Sequence, residues 1–190
     1  GKESQKRRKK RDRSKLGFDR IMEIVRVTLK EFDESFITKE YVSWLNDPEL
    51  MKYSEQRHLT HTIESCKAYF ESFKGTDNLL YAILEPNDNR HIGNISAYID
   101  RYNRIADVGI LVGKTGRGYG FSAWKKMMKI LFSENNVRKI TAGAMVVNAP
   151  MIKIMKKANM QYEYTKQAQF LLNGKPVDLV GYYILKGDQM

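Results

Sequence analysis

The sequence has a single cysteine, Cys66, among its 190 residues. One thiol excludes an intrachain disulfide and favours a reducing compartment, so we expect a cytoplasmic protein. No apolar run approaches the ~20 residues that a transmembrane helix requires, and the first residues lack the apolar stretch of a signal peptide. No group of histidines, cysteines and carboxylates has the spacing of metal ligands, so no metal site is predicted.

Acidic residues are scarce at the start of the chain. Residues 1–20 carry ten Lys or Arg against three acids, a net charge of +7, whereas the other 170 residues carry 23 basic and 19 acidic groups, a net charge of +4. A basic segment of this kind suits nucleic acid or another acidic surface. We favour the alternative that residues 1–21 are a tail outside the fold, disordered or left over from an upstream start. Apart from this tail, we expect no part of the chain to bind nucleic acid. Residues 22–190 then form a single domain.

The hydrophobic pattern of this domain predicts strands and helices in turn. Strands are predicted over 23–32, 79–85, 91–101, 105–113, 138–148, 161–172 and 175–185, and helices over 38–45, 61–74, 121–136 and 150–159. Short turns between consecutive strands indicate antiparallel hairpins, while the helix at 121–136 requires one parallel, right-handed crossover. We therefore expect a mixed α/β domain, with a mostly antiparallel sheet of six to seven strands flanked by about four helices.

Four glycines fall within residues 113–120, between a predicted strand and a predicted helix. Such a cluster indicates a close approach of the backbone to a phosphate. The nucleoside-triphosphate motif G-x-x-x-x-G-K-S/T does not match, because Gly109 lies one residue too close to Gly113. The dinucleotide motif G-x-G-x-x-G does not match either, because residue 121 is Phe. There remains a loop whose amides at 116–120 point at a pyrophosphate, with the dipole of the next helix behind them.

Residues 115–120, TGRGYG, resemble the acetyl-CoA signature R/Q-x-x-G-x-G/A of the GCN5-related N-acetyltransferases (GNAT), with Thr at the Arg/Gln position. Residues 107–110, DVGI, are similar to the preceding strand in the branch that acetylates ribosomal-protein N-termini and related amines. Residues 148–151, NAPM, with 157–160, KANM, resemble the family's N-x-x-S…K-x-G-F segment, although Asn and Met replace its Gly and Phe. The resemblance extends from about residue 22 to residue 186.

The resemblance implies that acetyl-CoA binds between two strands that part, 107–112 and 139–147. The glycine loop would hold the pyrophosphate, and an N–H near Leu111 would donate to the thioester oxygen. Asn148 would contact the cofactor arm, or cap the last helix, or do both. The residues implied in cofactor binding are Ile110, Leu111, Val112, Thr115, Gly116, Arg117, Gly118, Tyr119, Gly120 and Asn148.

Acetyl transfer requires a neutral amine and a proton for the leaving thiol. Asp107 is the candidate general base; the alternative, at least as well supported, is a carboxylate paired with Arg101 or Arg104. Many family members place a tyrosine in the last helix as the thiol acid, but this sequence has Met155 there. Tyr119 in the loop and Tyr162 and Tyr164 in the next strand carry other hydroxyls, but no sequence pattern assigns any of them as the thiol acid.

The candidate acceptor residues are Glu55, Arg57 and His58, from the loop that walls the acceptor pocket in related enzymes; the same residues also suit a solvated loop. Residues 41–58 most resemble family members that acetylate an amino sugar on a nucleotide carrier. A protein N-terminus is the alternative acceptor, and the modest basic charge of the domain disfavours a polyamine. A non-catalytic binding module that uses the basic tail is the alternative from another class. We expect a monomer or a homodimer that acts on a small-molecule or peptide amine, with no membrane partner.

Overall fold

The structure is a computed structural model that describes residues 26–113 and 117–188. The predictions for the basic tail, for Thr115 and for Gly116 fall on residues outside these ranges and stay predictions.

Seven strands form one sheet in the spatial order β1-β2-β3-β4-β5-β7-β6. They are β1 (Thr28–Glu31), β2 (Leu79–Leu84), β3 (His91–Asp100), β4 (Ile105–Val112), β5 (Lys139–Met145), β6 (Gln161–Leu172) and β7 (Lys175–Leu185). Every neighbouring pair is antiparallel except β4 and β5, which are parallel and joined by the longest helix. The predicted mixed sheet with a single crossover is confirmed.

Five α-helices flank the sheet in the described part of the chain. They are α1 (Lys39–Leu45), α2 (Pro48–Met51), α3 (Ile63–Glu71), α4 (Tyr119–Ser133) and α5 (Ala149–Lys157). The helix α2 is additional to the four that the sequence predicts. Asn46-Asp47-Pro48 does end α1, but the Asp47 side chain accepts from the amides of Glu49 and Leu50, so the same segment caps a new helix with Pro48 in its first turn.

Two predicted helix boundaries move because of their caps. The helix α3 begins at Ile63 rather than residue 61, because Thr62 forms a capping box with Ser65. His61 therefore precedes the cap instead of lying in the first turn. The helix α4 begins at Tyr119, two residues earlier than predicted, directly after Gly118 in the left-handed conformation (φ +78°).

Each face of the sheet carries its own core. The helices α4 and α5 cover one face, where Trp124, Met127 and Met155 are completely buried. The helices α1 and α3 cover the other face through residues such as Trp44 and Cys66. None of the described helices combines the length and the apolar character needed to cross a membrane.

Trp44 of α1 packs directly on Gly113, the first residue after β4. A Cβ atom added at Gly113 would penetrate the indole ring. We expect Gly113→Ala to lower the free energy of unfolding by about 1–3 kcal/mol, the usual cost of overpacking a filled site. Gly109→Ala is the matched control, because its Cβ would meet only the Ser96 hydroxyl at an ordinary 3.5 Å. Urea unfolding of both variants checks this, and equal stabilities would contradict it.

Candidate active site

The strands β4 and β5 separate soon after they meet. They pair only from Ile105 to Asp107 on β4 and from Lys139 to Thr141 on β5. Beyond these residues, β4 keeps its ladder with β3 and β5 keeps its ladder with β7. A gap therefore opens in the middle of the sheet, directly after Asp107 and Thr141, as the family resemblance implies for the strands that receive acetyl-CoA.

Alternate residues of β4 turn their backbone groups into this gap. The amide of Gly113 donates to the carbonyl of Ile92 on β3 at 2.8 Å. Because hydrogen-bonding direction alternates along a strand, Leu111 also faces β3, while Ile110 and Val112 face the gap. The expectation that 110, 111 and 112 all pair with the cofactor arm is therefore corrected for Leu111, whose backbone groups point the other way.

The N-terminus of α4 lies at the described end of the glycine loop. Gly118 is its N-cap, has no side chain to bond the first amides, and is followed by no acidic residue in the first turn. A helix of 15 residues thus directs its unpaired amides and its positive dipole end toward the loop. Gly120 packs closely on α5, because an added Cβ would lie 2.9 Å from Ile154. This arrangement suits a phosphate.

Tyr119 and Arg117 meet a carboxylate that sequence reasoning missed. The Tyr119 hydroxyl donates to Glu85 at the end of β2, and an Arg117 nitrogen lies 3.9 Å from the same carboxylate. Accepting this hydrogen bond, Glu85 raises the pKa of the Tyr119 hydroxyl. The side chain of Tyr119 is therefore occupied and only its amide remains for an anion. The sequence did offer one signal for this residue, because the acidic Glu85 directly follows the apolar strand β2.

Asn148 and Met155, both in or next to α5, differ in the groups that they can provide to a cofactor. The Asn148 carboxamide oxygen accepts from the Met151 amide at 3.2 Å, so Asn148 is the N-cap of α5. Met155, at the position where family members often have tyrosine, is completely buried. The hydroxyl of Tyr162 contacts Thr165 at 2.9 Å, and the ring of Tyr164 covers Gly181.

Asp107 lies at the closed end of the gap, where β4 and β5 are last paired, on the face of the sheet covered by α1 and α3. It is directly opposite Tyr98 on β3 and Thr141 on β5, and we call Tyr98, Asp107 and Thr141 the polar row. The Thr141 hydroxyl donates to the Asp107 carboxylate at 2.8 Å. Desolvation by the surrounding strands raises the pKa of the Asp107 carboxyl above its usual value, and the Thr141 hydrogen bond partly opposes this.

The alternative ion pairs proposed for Asp107 are not formed. Arg101 lies 3.4 Å from Asp77, and Arg104 donates to the carbonyl of Asn136 at 3.0 Å. Both arginines are thus engaged elsewhere, in and around the turn between β3 and β4. Asp107 has no cationic partner among the described residues, so its carboxylate can interact with a substrate in the gap.

Further hydroxyls surround the polar row. The Tyr98 and Tyr69 hydroxyls lie 3.2 Å apart, and Tyr69 reaches over from α3. Asn94 and Ser96 are buried on the same strand face as Tyr98. Sequence reasoning missed these residues, although the alternation of polar and apolar residues over 94–99 indicated a polar face of β3.

The candidate acceptor residues form a cluster of their own. Arg57 contacts the Glu55 carboxylate at 2.7 Å, and His58 lies 3.8 Å from it. Arg57 also donates to the carbonyl of Leu171 at 2.9 Å, which ties this turn to the end of the β6–β7 hairpin. No hydrogen bond or ion pair between described residues joins the cluster to Asp107. The guanidinium of Arg57 therefore holds this turn to the β6–β7 hairpin, and the acceptor-binding role of the three residues stays a prediction.

Comparison with known proteins agrees with this geometry. The family model described as "Acetyltransferase (GNAT) domain" matches residues 26–161. The chain is 26% identical to the uncharacterized N-acetyltransferase p20 of Bacillus licheniformis, over 85% of this chain and 93% of that one. It is also 26% identical to the uncharacterized N-acetyltransferase YnaD of Bacillus subtilis, over 70% of this chain and 76% of that one.

Two solved structures share the fold. An acetyltransferase of the GNAT family from Bacillus anthracis superposes with a TM-score of 0.72 at 20% identity, over 84% of this chain and 95% of that one. Spermidine N-acetyltransferase from Vibrio cholerae, in complex with CoA and spermine, gives a TM-score of 0.77 at 16% identity, over 86% of this chain and 98% of that one. Parted strands, an open helix N-terminus and a match across most of its length together identify the chain as a member of the GNAT family, an acetyl-CoA-dependent N-acetyltransferase.

Proposed function

We propose that the enzyme acetylates an amino sugar on a nucleotide carrier, with the reacting amine beside Asp107. The observation that supports this acceptor most is the polar row, in which one carboxylate lies among hydroxyl groups. A single carboxylate suits one amine, and the hydroxyls of Tyr69 and Tyr98 suit the hydroxyls of a sugar.

A polyamine is the natural competitor, since the structural relative from Vibrio cholerae is a spermidine N-acetyltransferase. A polycation is bound best by several carboxylates. In the polar row Asp107 is the one carboxylate. The carboxylate of Glu163 is ion-paired with Lys139, two residues before Thr141, so this pair adds no net negative charge. These charges favour an acceptor with one amine.

A protein N-terminus is the second candidate acceptor. Gly109 and Gly143 are exposed on opposite sides of the gap, at the same level of β4 and β5. Two positions without side chains allow the backbone of an extended peptide to approach the gap closely. This feature favours a peptide as the runner-up.

In the proposed reaction Asp107 accepts the proton of the amine, directly or through a water molecule. Acetyl-CoA supplies the acetyl group as a thioester: the amine nitrogen bonds to the carbonyl carbon, the C–S bond breaks, and the leaving thiolate of CoA takes its proton from solvent. The amides of Ile110 and Val112, which face the gap, are the donors that we assign to the cofactor arm and its carbonyl oxygen. The first amides of α4 and the guanidinium of Arg117 are assigned to the pyrophosphate. The side-chain oxygen of Asn148 caps α5, so we assign its side-chain nitrogen as a hydrogen-bond donor to the cofactor arm.

The acceptor is tested by free-thiol release from acetyl-CoA with four amines. The full chain is given a nucleotide-linked amino sugar, the same sugar without its nucleotide, a peptide with a free N-terminus, and spermidine. We expect turnover with the nucleotide-linked sugar and a weaker response to the free sugar. Turnover with the peptide alone would favour the second candidate, and turnover with spermidine alone would overturn the proposal.

Tyr98→Phe tests the hydroxyls beside Asp107. Loss of one acceptor-binding hydroxyl is expected to raise the KM for the amine about five- to tenfold, with the KM for acetyl-CoA unchanged. Tyr102→Phe is the matched control, because Tyr102 is 90% exposed in the turn after β3. Steady-state kinetics with each substrate varied in turn decide the matter, and an unchanged amine KM in Tyr98→Phe would remove this residue from the site.

A further inference from the structure

Glu85 is a buried carboxylate that the reaction itself does not use. We propose that Glu85 is a positioning residue for acetyl-CoA, which fixes Tyr119 and Arg117 so that the start of α4 is ready to receive the pyrophosphate. The inference rests on the proposed placement of the pyrophosphate at this helix. It adds a residue on a different strand, 34 positions before Tyr119, to the machinery that binds the donor.

Among the described residues, three side chains converge on Glu85, which is only 7% exposed. The Tyr119 hydroxyl donates to one carboxylate oxygen, and Arg117 lies 3.9 Å from the same oxygen. Arg90 donates to the other oxygen at 3.3 Å. A buried carboxylate is tolerated because it is paired and hydrogen-bonded in this way. The pairing also sets the orientation of its partners.

The backbone of Glu85 is fixed independently of the loop. Its amide donates to the carbonyl of Arg90 at 2.9 Å, and its carbonyl accepts from the amide of Asn89 at 3.1 Å. These bonds close the turn between β2 and β3. The position of Glu85 is therefore fixed by the sheet. Its carboxylate in turn contacts Arg117 and Tyr119 at the described end of the glycine loop.

The two partners serve the anion in different ways. Tyr119 is the first residue of α4, so anchoring its side chain fixes the direction of the first amides. Arg117 is 63% exposed, and its guanidinium has donors left for a phosphate while one side faces Glu85. Without Glu85 the Tyr119 hydroxyl loses its hydrogen-bond acceptor, and the Arg117 guanidinium loses the negative charge that attracts it toward the start of α4. Ordering these groups would then oppose acetyl-CoA binding and lower its affinity, while proton transfer at Asp107 would not change.

Glu85→Gln tests this role while keeping the size of the side chain and an oxygen for the Tyr119 hydroxyl. We expect the KM for acetyl-CoA to rise about tenfold, with kcat and the KM for the amine within about twofold of wild type. Arg90→Gln is the matched control, since it breaks only the ion pair on the side of the turn and should leave the donor KM unchanged. Thermal unfolding reports the effect of each variant on stability.

A double variant separates positioning from stability. If Glu85 acts through Arg117, then Glu85→Gln combined with Arg117→Gln raises the donor KM hardly more than Arg117→Gln alone. A lower melting temperature with an unchanged donor KM in Glu85→Gln would reduce Glu85 to a structural residue and overturn the inference. Acetyl-CoA binding that is insensitive both to Arg117→Gln and to Gly118→Glu would instead overturn the placement of the pyrophosphate itself.

Discussion

Gly118→Glu is expected to weaken acetyl-CoA binding severely. Gly118 is the N-cap of α4 and leaves the first amides of the helix open. A carboxylate at this point would occupy those amides and repel the pyrophosphate, and like charges placed together in an interface cost several kcal/mol. We therefore expect the Kd for acetyl-CoA to rise at least about a hundredfold, as measured by titration calorimetry.

Gly118→Gln is the matched control for this variant. Gly118 has φ +78°, a conformation that costs a residue with a side chain roughly 1–2 kcal/mol. Glutamine and glutamate share this cost and nearly the same shape, so only the charge differs between the two variants. Equal Kd values for Glu and Gln would mean that no anion lies at the start of α4.

Asp107→Asn is expected to lower kcat/KM for the amine by about a hundred- to ten-thousandfold, the usual contribution of a general base. The Kd for acetyl-CoA should stay unchanged, because Asp107 lies at the closed end of the gap and not on the loop. The variant keeps the shape of the side chain and its hydrogen bond with Thr141. A loss of less than about threefold would exclude Asp107 as the base and leave proton removal to solvent.

The pH dependence of the wild-type enzyme provides a second test of Asp107. Asp107 keeps an exposed surface, but the atoms packed around its carboxyl desolvate it and raise its pKa. A base is inactive when protonated, so kcat/KM should fall as the pH drops through that raised pKa. The Thr141 hydrogen bond lowers the same pKa. Thr141→Val should therefore shift this part of the acid limb to higher pH, whereas Asp107→Asn should remove it and leave only the part set by protonation of the amine substrate. An acid limb that is the same in all three proteins would contradict the assignment.

The sequence was sufficient for features that depend on local chemistry. The glycines at 118 and 120 followed by an amphipathic segment predict a helix N-terminus aimed at a phosphate, and α4 begins there. Asn173-Gly174 predicts a hairpin, and both residues adopt the positive φ that this turn requires. The parallel crossover follows from a helix between two strands and is confirmed.

Features that depend on register and long-range packing were beyond the sequence. Tyr98 lies opposite Asp107 only because β3 and β4 pair in one particular register. Tyr69 reaches the same place from α3, and Glu85 meets Tyr119 across 34 residues of chain. The direction of the Leu111 backbone is likewise set by which residues of β4 bond to β3. The pattern of polar and apolar residues within a single strand or helix does not specify these contacts between distant elements.

The central claim is that acetyl-CoA lies in the gap between β4 and β5, with its pyrophosphate on the start of α4. Amide hydrogen exchange, measured residue by residue with and without acetyl-CoA, tests this most directly. We expect the amides of Ile110, Val112 and Gly120 to become protected on binding, while Leu111, already bonded to β3, changes little. Unchanged exchange at Ile110, Val112 and Gly120, with protection elsewhere in the chain, would contradict the proposed site.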